Sequence, residues 1–197
     1  MRHLSVSFLL FTMLHAGCGK PDIRDTQTDA PKDALAFLQL PVAGTGYYTI
    51  TDPDKLYGVP DLIDGIENLG FHWSEELEFD AGRIGVNDIS YVDGSEMPPH
   101  SSHRTGKDVD LRPLRLDGRE YPTRTTDSSY SREFTAALIK DYLDPNLDLR
   151  IILFNDPQIY GHRADHTGCP LVREDGMQLN YVKCWSGHAN HLHVSIK

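Results

Sequence analysis

From about Leu38 onward, the apolar residues of this chain come in short runs that Gly, Pro and Asp interrupt every few positions. Runs of this length are typical of short strands and modest helices, and they contain no internal repeat that would build a solenoid. The 197 residues leave room for one globular domain. We therefore expect an α+β domain over 38–197, with a mainly antiparallel sheet and flanking helices.

Two segments have the apolar spacing of a helix with one buried face. Residues 60–69 start with a proline and are followed by Gly70, and residues 131–143 start with Ser131 as a candidate N-cap and are followed by Pro145. Runs rich in β-branched or aromatic residues predict strands at Gly46–Ile50, Arg83–Tyr91, Lys107–Leu111, Leu149–Phe154 and His191–Ile196.

The N-terminal segment has the layout of an export signal. Residues 1–17 combine a basic start, an apolar run and small residues, which is typical of a secretory signal peptide. The small residues before Cys18 resemble a bacterial lipoprotein cleavage site, so we expect lipidation of Cys18, with plain secretion as the alternative. Residues 18–37 are polar and aperiodic, which predicts a flexible tether. A lipid on Cys18 is the one membrane contact that we expect.

Charge, hydropathy and cysteine content argue against several classes of partner and site. The net charge of −10 argues against nucleic acid as a partner, and no apolar run reaches the roughly 18–20 residues that cross a bilayer. With Cys18 modified, Cys169 and Cys184 remain, and an exported protein favours a disulfide between them over two reduced thiols. Three cysteines exclude a four-cysteine zinc site.

Histidine and aspartate are the residues whose spacing indicates chemistry. The chain has 10 histidines, and His191 and His193 alternate so that a terminal strand would present both imidazoles on one face. Gly106 permits a sharp turn between His103 and Asp110. Two imidazoles and one carboxylate, from His103, Asp110 and His193, would leave a fourth position for water, as in a catalytic zinc site.

Four other residues could be taken for site residues, but we do not expect them to bind the metal or to catalyse. Asp108 is expected to end a turn or to orient a ligand without binding the metal itself. His162 and His166 have helical spacing but lie in a Gly-containing loop, where we expect them to be solvated. We expect Trp185 to pack in the core, with a place in the substrate groove as the alternative.

Two motifs resemble a known family. PHSSHRTGKDVD at 99–110 and WSGHANHLHV at 185–194 resemble the penicillin-insensitive murein endopeptidases, within the lysostaphin, D-Ala-D-Ala peptidase and hedgehog-type metallopeptidase group. The segment 150–155 resembles the strand between these motifs, and the similarity runs over about residues 40–197. The resemblance implies a hedgehog/D-Ala-D-Ala peptidase-like fold.

The same resemblance implies an activity and its residues. It implies a periplasmic bacterial hydrolase with one Zn²⁺ ion that cuts the D-Ala to diaminopimelate cross-links of peptidoglycan. The residues that match the family's site are His103, Asp110 and His193 as zinc ligands, His191 as general base, and His100 and His188 as additional active-site histidines.

Two other functions stay open from the sequence. A D-Ala-D-Ala carboxypeptidase or dipeptidase of the same group often uses a Glu base shortly before the last ligand, and residues 189–192 contain no acid. A zinc-bearing wall-binding module without catalysis is the second alternative, although the presence of His191 argues against it.

Overall fold

The computed structural model describes residues 36–76, 81–162, 169, 171, 173 and 175–197, with only the backbone of His162. The predicted signal peptide, Cys18, nearly all of the tether and His166 lie outside these residues. In the described part, no helix is long and apolar enough to cross a membrane.

The described elements confirm an α+β domain. The helices are α1 (Pro60–Glu76), α2 (Arg132–Ala137) and α3 (Asp144–Asn146), with a 3₁₀ turn at Pro53–Lys55 and a π-helical segment at Leu138–Leu143 that joins α2 to α3. The strands are β1 (Leu38–Gln39), β2 (Ala43–Gly44), β3 (Tyr47–Thr49), β4 (Tyr57–Gly58), β5 (Ile84–Val86), β6 (Asp108–Leu111), β7 (Leu149–Leu153), β8 (Tyr160–His162), β9 (Leu179–Lys183) and β10 (Leu192–Ile196).

The main sheet is mixed, with an antiparallel centre. Its strand order is β2-β3-β5-β6-β10-β7-β9-β8, and β5, β6, β10 and β7 pair antiparallel in the middle. Towards the edges, β3 runs parallel to β5, and β9 runs parallel to both β7 and β8. The expected antiparallel arrangement therefore holds at the centre, while the specific hedgehog-type fold stays a prediction.

Helix α1 buries the face that its sequence predicts but does not end where Gly70 suggested. Leu62, Ile66 and Leu69 are buried, and the helix continues to Glu76, which brings Trp73 into the core. A Cβ on Gly70 would lie 2.4 Å from the Thr45 carbonyl oxygen. Gly70 therefore permits a close approach between the helix and the loop before β3 instead of ending the helix.

The second predicted helix begins as expected and ends slightly later. The Ser131 hydroxyl accepts a hydrogen bond from the Phe134 amide at 3.2 Å, which satisfies one of the free N–H groups at the start of α2. Pro145 lies inside α3, and the helical run stops after Asn146. Pro145 lies in the last turn of this continuous helical run, and the run ends one residue after it.

Candidate metal centre

The register between β6 and β10 brings two predicted ligands together. His193 pairs with Asp110, and on the next rung that shares the face Ser195 pairs with Asp108. Because side chains alternate along a strand, all four point to the same side of the sheet. Each is buried, with exposed fractions between 1% and 7%.

His103 reaches this face from the loop before β6. Gly106 turns the chain with φ +66°, and a Cβ there would lie 2.9 Å from the Val59 amide nitrogen. His103 is fully buried, and its Nδ1 lies 2.9 Å from the Ile89 carbonyl oxygen. A carbonyl oxygen can only accept, so Nδ1 carries the proton and Nε2 presents a lone pair.

Three candidate ligand atoms lie close together. His103 Nε2 lies 3.1 Å from His193 Nδ1 and 3.3 Å from Asp110 Oδ1, and His193 Nδ1 lies 3.1 Å from Asp110 Oδ1. Tetrahedral ligands placed about 2.0–2.2 Å from zinc are about 3.3–3.6 Å apart. The triangle therefore fits one zinc-sized cation after a small expansion.

The donor chemistry of this triangle also favours a cation. His193 Nε2 lies 3.4 Å from Asp108 Oδ1, which leaves Nδ1 to face His103 and Asp110. With both imidazoles neutral, two ring lone pairs and a carboxylate oxygen point at each other and repel. A positive charge between them removes that repulsion, and this donor set suits zinc.

The pKa shifts of Asp110 and His193 indicate that negative charge dominates around these two residues. Burial raises the pKa of the Asp110 carboxyl, but the His103 and His193 rings, which donate to this carboxylate when they are protonated, outweigh burial and hold that pKa well below its usual range. Burial lowers the pKa of His193, but hydrogen bonds from its protonated form to Asp108 and Asp110 outweigh burial and raise the pKa to about 9. Both directions show that this part of the site attracts positive charge.

His100 lies on the other oxygen of Asp110. Its Nδ1 is 3.6 Å from Asp110 Oδ2, and its Nε2 donates to Asp88 Oδ2 at 3.1 Å. Ligand atoms of His100, His103 and Asp110 lie within 4.8 Å of one another, so this set could also hold a metal ion. We favour His193 over His100 as the third ligand because His193 Nδ1 lies closer to the Asp110 carboxylate, at 3.1 Å against 3.6 Å, and the other ring nitrogen of His100 is bonded to Asp88.

His191 and His188 complete the predicted set on a more open side. His191 Nε2 lies 3.9 Å from Asp110 Oδ2, and the His188 ring packs 4.6 Å from the His191 ring, measured between centroids. His188 Nδ1 donates to the Trp185 carbonyl oxygen at 3.1 Å. Burial lowers the pKa of both histidines. The side chain of His191 is 25% exposed, so it can reach both solvent and the centre.

Other sequence predictions have mixed outcomes. Cys169 and Cys184 form the expected disulfide. The prediction that Trp185 packs in the core is wrong, since Trp185 is 43% exposed. Its backbone is held by the hydrogen bond from its N–H to Asn155 Oδ1, and its large side chain lies at the surface.

Several polar residues at the site carry no signal in the sequence. Asp88 holds His100 and accepts from the Thr51 hydroxyl, and Ser195 and Arg150 lie behind His193. Asp, Ser and Arg occur throughout the chain, and only the folded arrangement distinguishes these three. The alternation of His193 and Ser195 along one strand was the only available hint.

Comparison with known proteins connects these residues to a family. The penicillin-insensitive murein endopeptidase family matches residues 35–144, a stretch that holds His100, His103 and Asp110. A penicillin-insensitive murein endopeptidase of Klebsiella pneumoniae (strain 342) is 26% identical over 175 residues, which cover 80% of this chain and 60% of that protein. One of Salmonella paratyphi C (strain RKS4594) is 28% identical with the same coverage. The chain thus spans about 60% of the length of these relatives.

Proposed function

The chain belongs to the penicillin-insensitive murein endopeptidase family, and from that premise we propose that it is a zinc-dependent murein endopeptidase. The proposed reaction is hydrolysis of the D-Ala to diaminopimelate cross-links of peptidoglycan. The observation that carries the proposal is the meeting of His103 Nε2, Asp110 Oδ1 and His193 Nδ1 within 3.1–3.3 Å.

In this proposal, His103, Asp110 and His193 hold a single Zn²⁺ ion. When bound, zinc supplies Lewis acidity that lowers the pKa of a water to about 7 and polarises a carbonyl oxygen. The ligand atoms are already directed inward by the bonds of His103 to Ile89 and of His193 to Asp108, so little rearrangement is needed to bind the ion.

We assign proton transfer to His191. Its Nε2 approaches Asp110 Oδ2 at 3.9 Å from the more open side, where a water and a peptide could both arrive. There it takes the proton of the attacking water and passes a proton to the departing amine. His188 and His100 border the same space, and in its protonated form either ring has a second N–H that can donate to the oxygen that becomes negative in the tetrahedral intermediate.

We also propose that the protein works in the bacterial periplasm, anchored through a lipid on Cys18. The support is the signal-like pattern of residues 1–17 and the location of the proposed substrate outside the cytoplasmic membrane. A Cys18→Ser protein should move from the membrane fraction to the soluble periplasmic fraction. If it stays with the membranes to the same extent as the wild type, the anchor proposal is wrong.

The activity is tested on purified muropeptides. Cross-linked dimers incubated with the zinc-loaded protein should yield monomers by mass spectrometry, and a chelator should stop the reaction until zinc is added back. Release of terminal D-Ala with dimers intact would favour a carboxypeptidase instead. Zinc binding with neither product would favour a non-catalytic wall-binding module.

A further inference from the structure

The face of the sheet behind His193 carries a second polar rung. Asp108 and Ser195 pair across β6 and β10, next to the rung formed by Asp110 and His193. We propose that Asp108, Ser195 and Arg150 form a positioning relay that fixes the ring of His193 for metal binding. This inference rests on the metal centre of the proposed function and adds residues that the sequence analysis did not assign together.

The relay is continuous in the structure. Asp108 Oδ1 lies 3.4 Å from His193 Nε2, and the Ser195 hydroxyl donates to the same Asp108 oxygen. Arg150 Nη2 donates to Ser195 Oγ at 2.9 Å. Ser195 can do both because a hydroxyl donates one hydrogen bond and accepts others.

Burial explains why three residues are needed. Asp108 and Ser195 are only 4% and 1% exposed, so a lone carboxylate there would carry a large desolvation cost. The Ser195 hydroxyl gives this carboxylate a hydrogen bond, and the guanidinium of Arg150 brings a positive charge behind it. Arg150 lies at the wall of a cavity of about 440 Å³, where water can reach its other N–H groups.

The relay selects one tautomer of His193. An acceptor at Nε2 keeps the proton on that nitrogen, so Nδ1 keeps the lone pair that faces His103 and Asp110. The carboxylate of Asp108 contacts the nitrogen that points away from the ligand triangle. The imidazole of His193 therefore stands between Asp108 and the metal position, which makes Asp108 a positioning residue and not a ligand.

The test is zinc affinity, measured by competition with a chromophoric chelator on the full chain. Asp108→Ala should weaken zinc binding about 10- to 100-fold, Asp108→Asn less, because its amide oxygen still accepts, and Ser195→Ala by up to about tenfold. Ser131→Ala is the matched control, since it removes a buried serine hydroxyl that caps α2 and does not belong to the relay, and it should leave zinc affinity unchanged.

Thermal unfolding of each variant separates positioning from general destabilisation. A purely structural role lowers the melting temperature of Ser195→Ala and Ser131→Ala alike without changing zinc affinity, and that result would overturn the relay. If Asp108→Ala does not fold, Asp108→Asn and Ser195→Ala still decide the question. A wild-type protein that binds no zinc overturns the metal centre together with the relay, whereas tight wild-type binding with unchanged variants overturns the relay alone.

Discussion

At the scale of single residues, the site depends on which ring nitrogen of each histidine is already engaged. His103 gives Nδ1 to the Ile89 carbonyl and presents Nε2, whereas His193 gives Nε2 to Asp108 and presents Nδ1. The two rings thus use opposite nitrogens toward one point. Each histidine uses one ring nitrogen for a protein contact and the other toward the candidate metal position. An Asn in its place is shorter and can reproduce at most one of these two contacts.

Removing a ligand and removing the base should have different consequences. We expect His193→Ala to lose zinc and hydrolysis together, because it removes one of the three proposed ligand atoms. His191→Ala should keep zinc and its fold while the rate of dimer cleavage falls about 10²- to 10⁴-fold. Metal analysis and muropeptide digestion measure both, with the exposed His72→Ala as control. Cleavage at the wild-type rate by His191→Ala would refute the base assignment.

The residue scale also shows what sequence can predict of a site. His103, Asp110 and His193 could be singled out because few residue types bind metal and their spacing suited a turn and a strand. Asp88 and Ser195 could not, because their contacts with His100 and Asp108 depend on tertiary structure and strand register. A core position is the expectation for Trp185 because large aromatic side chains usually lie there. In the fold its backbone bonds to Asn155 and His188, and its side chain is exposed.

At the scale of elements, a buried carboxylate joins α2 to the segment after β7. Asp156 is fully buried and accepts from the Tyr130 hydroxyl and from Arg132 Nε, both at 2.7 Å. Its other oxygen accepts from the Gln158 amide at 2.9 Å. The start of the helix and the loop that follows the strand are therefore held by one side chain.

We expect Asp156→Ala to lower the free energy of unfolding by about 3 kcal/mol, because it leaves a buried phenol hydroxyl and a guanidinium without their acceptor. Asp175→Ala is the control, since it breaks an exposed ion pair with Arg173 and should change stability by less than about 0.5 kcal/mol. Urea denaturation measures both. Equal effects would show that the buried network adds nothing beyond an exposed pair.

Strand β3 carries a group that makes stability fall at alkaline pH. Burial, and then the charge of Glu67, raise the pKa of Tyr47 from 10.0 to about 12. Because the folded state holds this proton more tightly, the contribution is complete below pH 10 and is lost as the pH rises towards about 12.

We therefore expect the melting temperature to fall through this pH range, and Tyr47→Phe to fall less steeply. The substitution also removes a hydrogen bond to the Pro41 carbonyl, at a cost of about 1 kcal/mol at neutral pH. Tyr121→Phe changes an exposed tyrosine and should follow the wild type. The explanation fails if Tyr47→Phe and wild type lose stability in parallel.

Element boundaries show where sequence patterns stop being informative. The apolar periodicity of α1 and the β-branched runs of β7 and β10 were long enough to predict. Strands β1, β2 and β4 have two residues each, which is too short for any period. The predicted strand 83–91 is shorter in the structure, where β5 covers only Ile84–Val86. The chain leaves the strand after Val86, and Asp88 contacts His100.

At the scale of the whole molecule, the disulfide ties the second histidine motif to Cys169. Cys184 directly precedes Trp185 and bonds to Cys169, with a sequence separation of 15 residues. We expect reduction to lower the free energy of unfolding by about 3 kcal/mol, through the freedom that the unfolded chain regains. Calorimetry with and without reductant measures this.

A Cys169→Ser/Cys184→Ser protein supplies the control for the bridge. It should melt at the temperature of the reduced wild type and should not respond to reductant. A wild-type melting temperature that reductant leaves unchanged would show that the bridge contributes nothing to stability.

Strand β10 lies between β6 and β7, although both of these precede it by many residues. Asp110 and His193 are 83 positions apart, so the proposed ligand set is complete only when β10, the last of these three strands, has taken its place in the middle of the sheet. A chain cut short before residue 192 has neither a continuous sheet nor a complete set of ligands. Under the proposed function, such an unfinished polypeptide would therefore bind no metal and cleave no peptidoglycan.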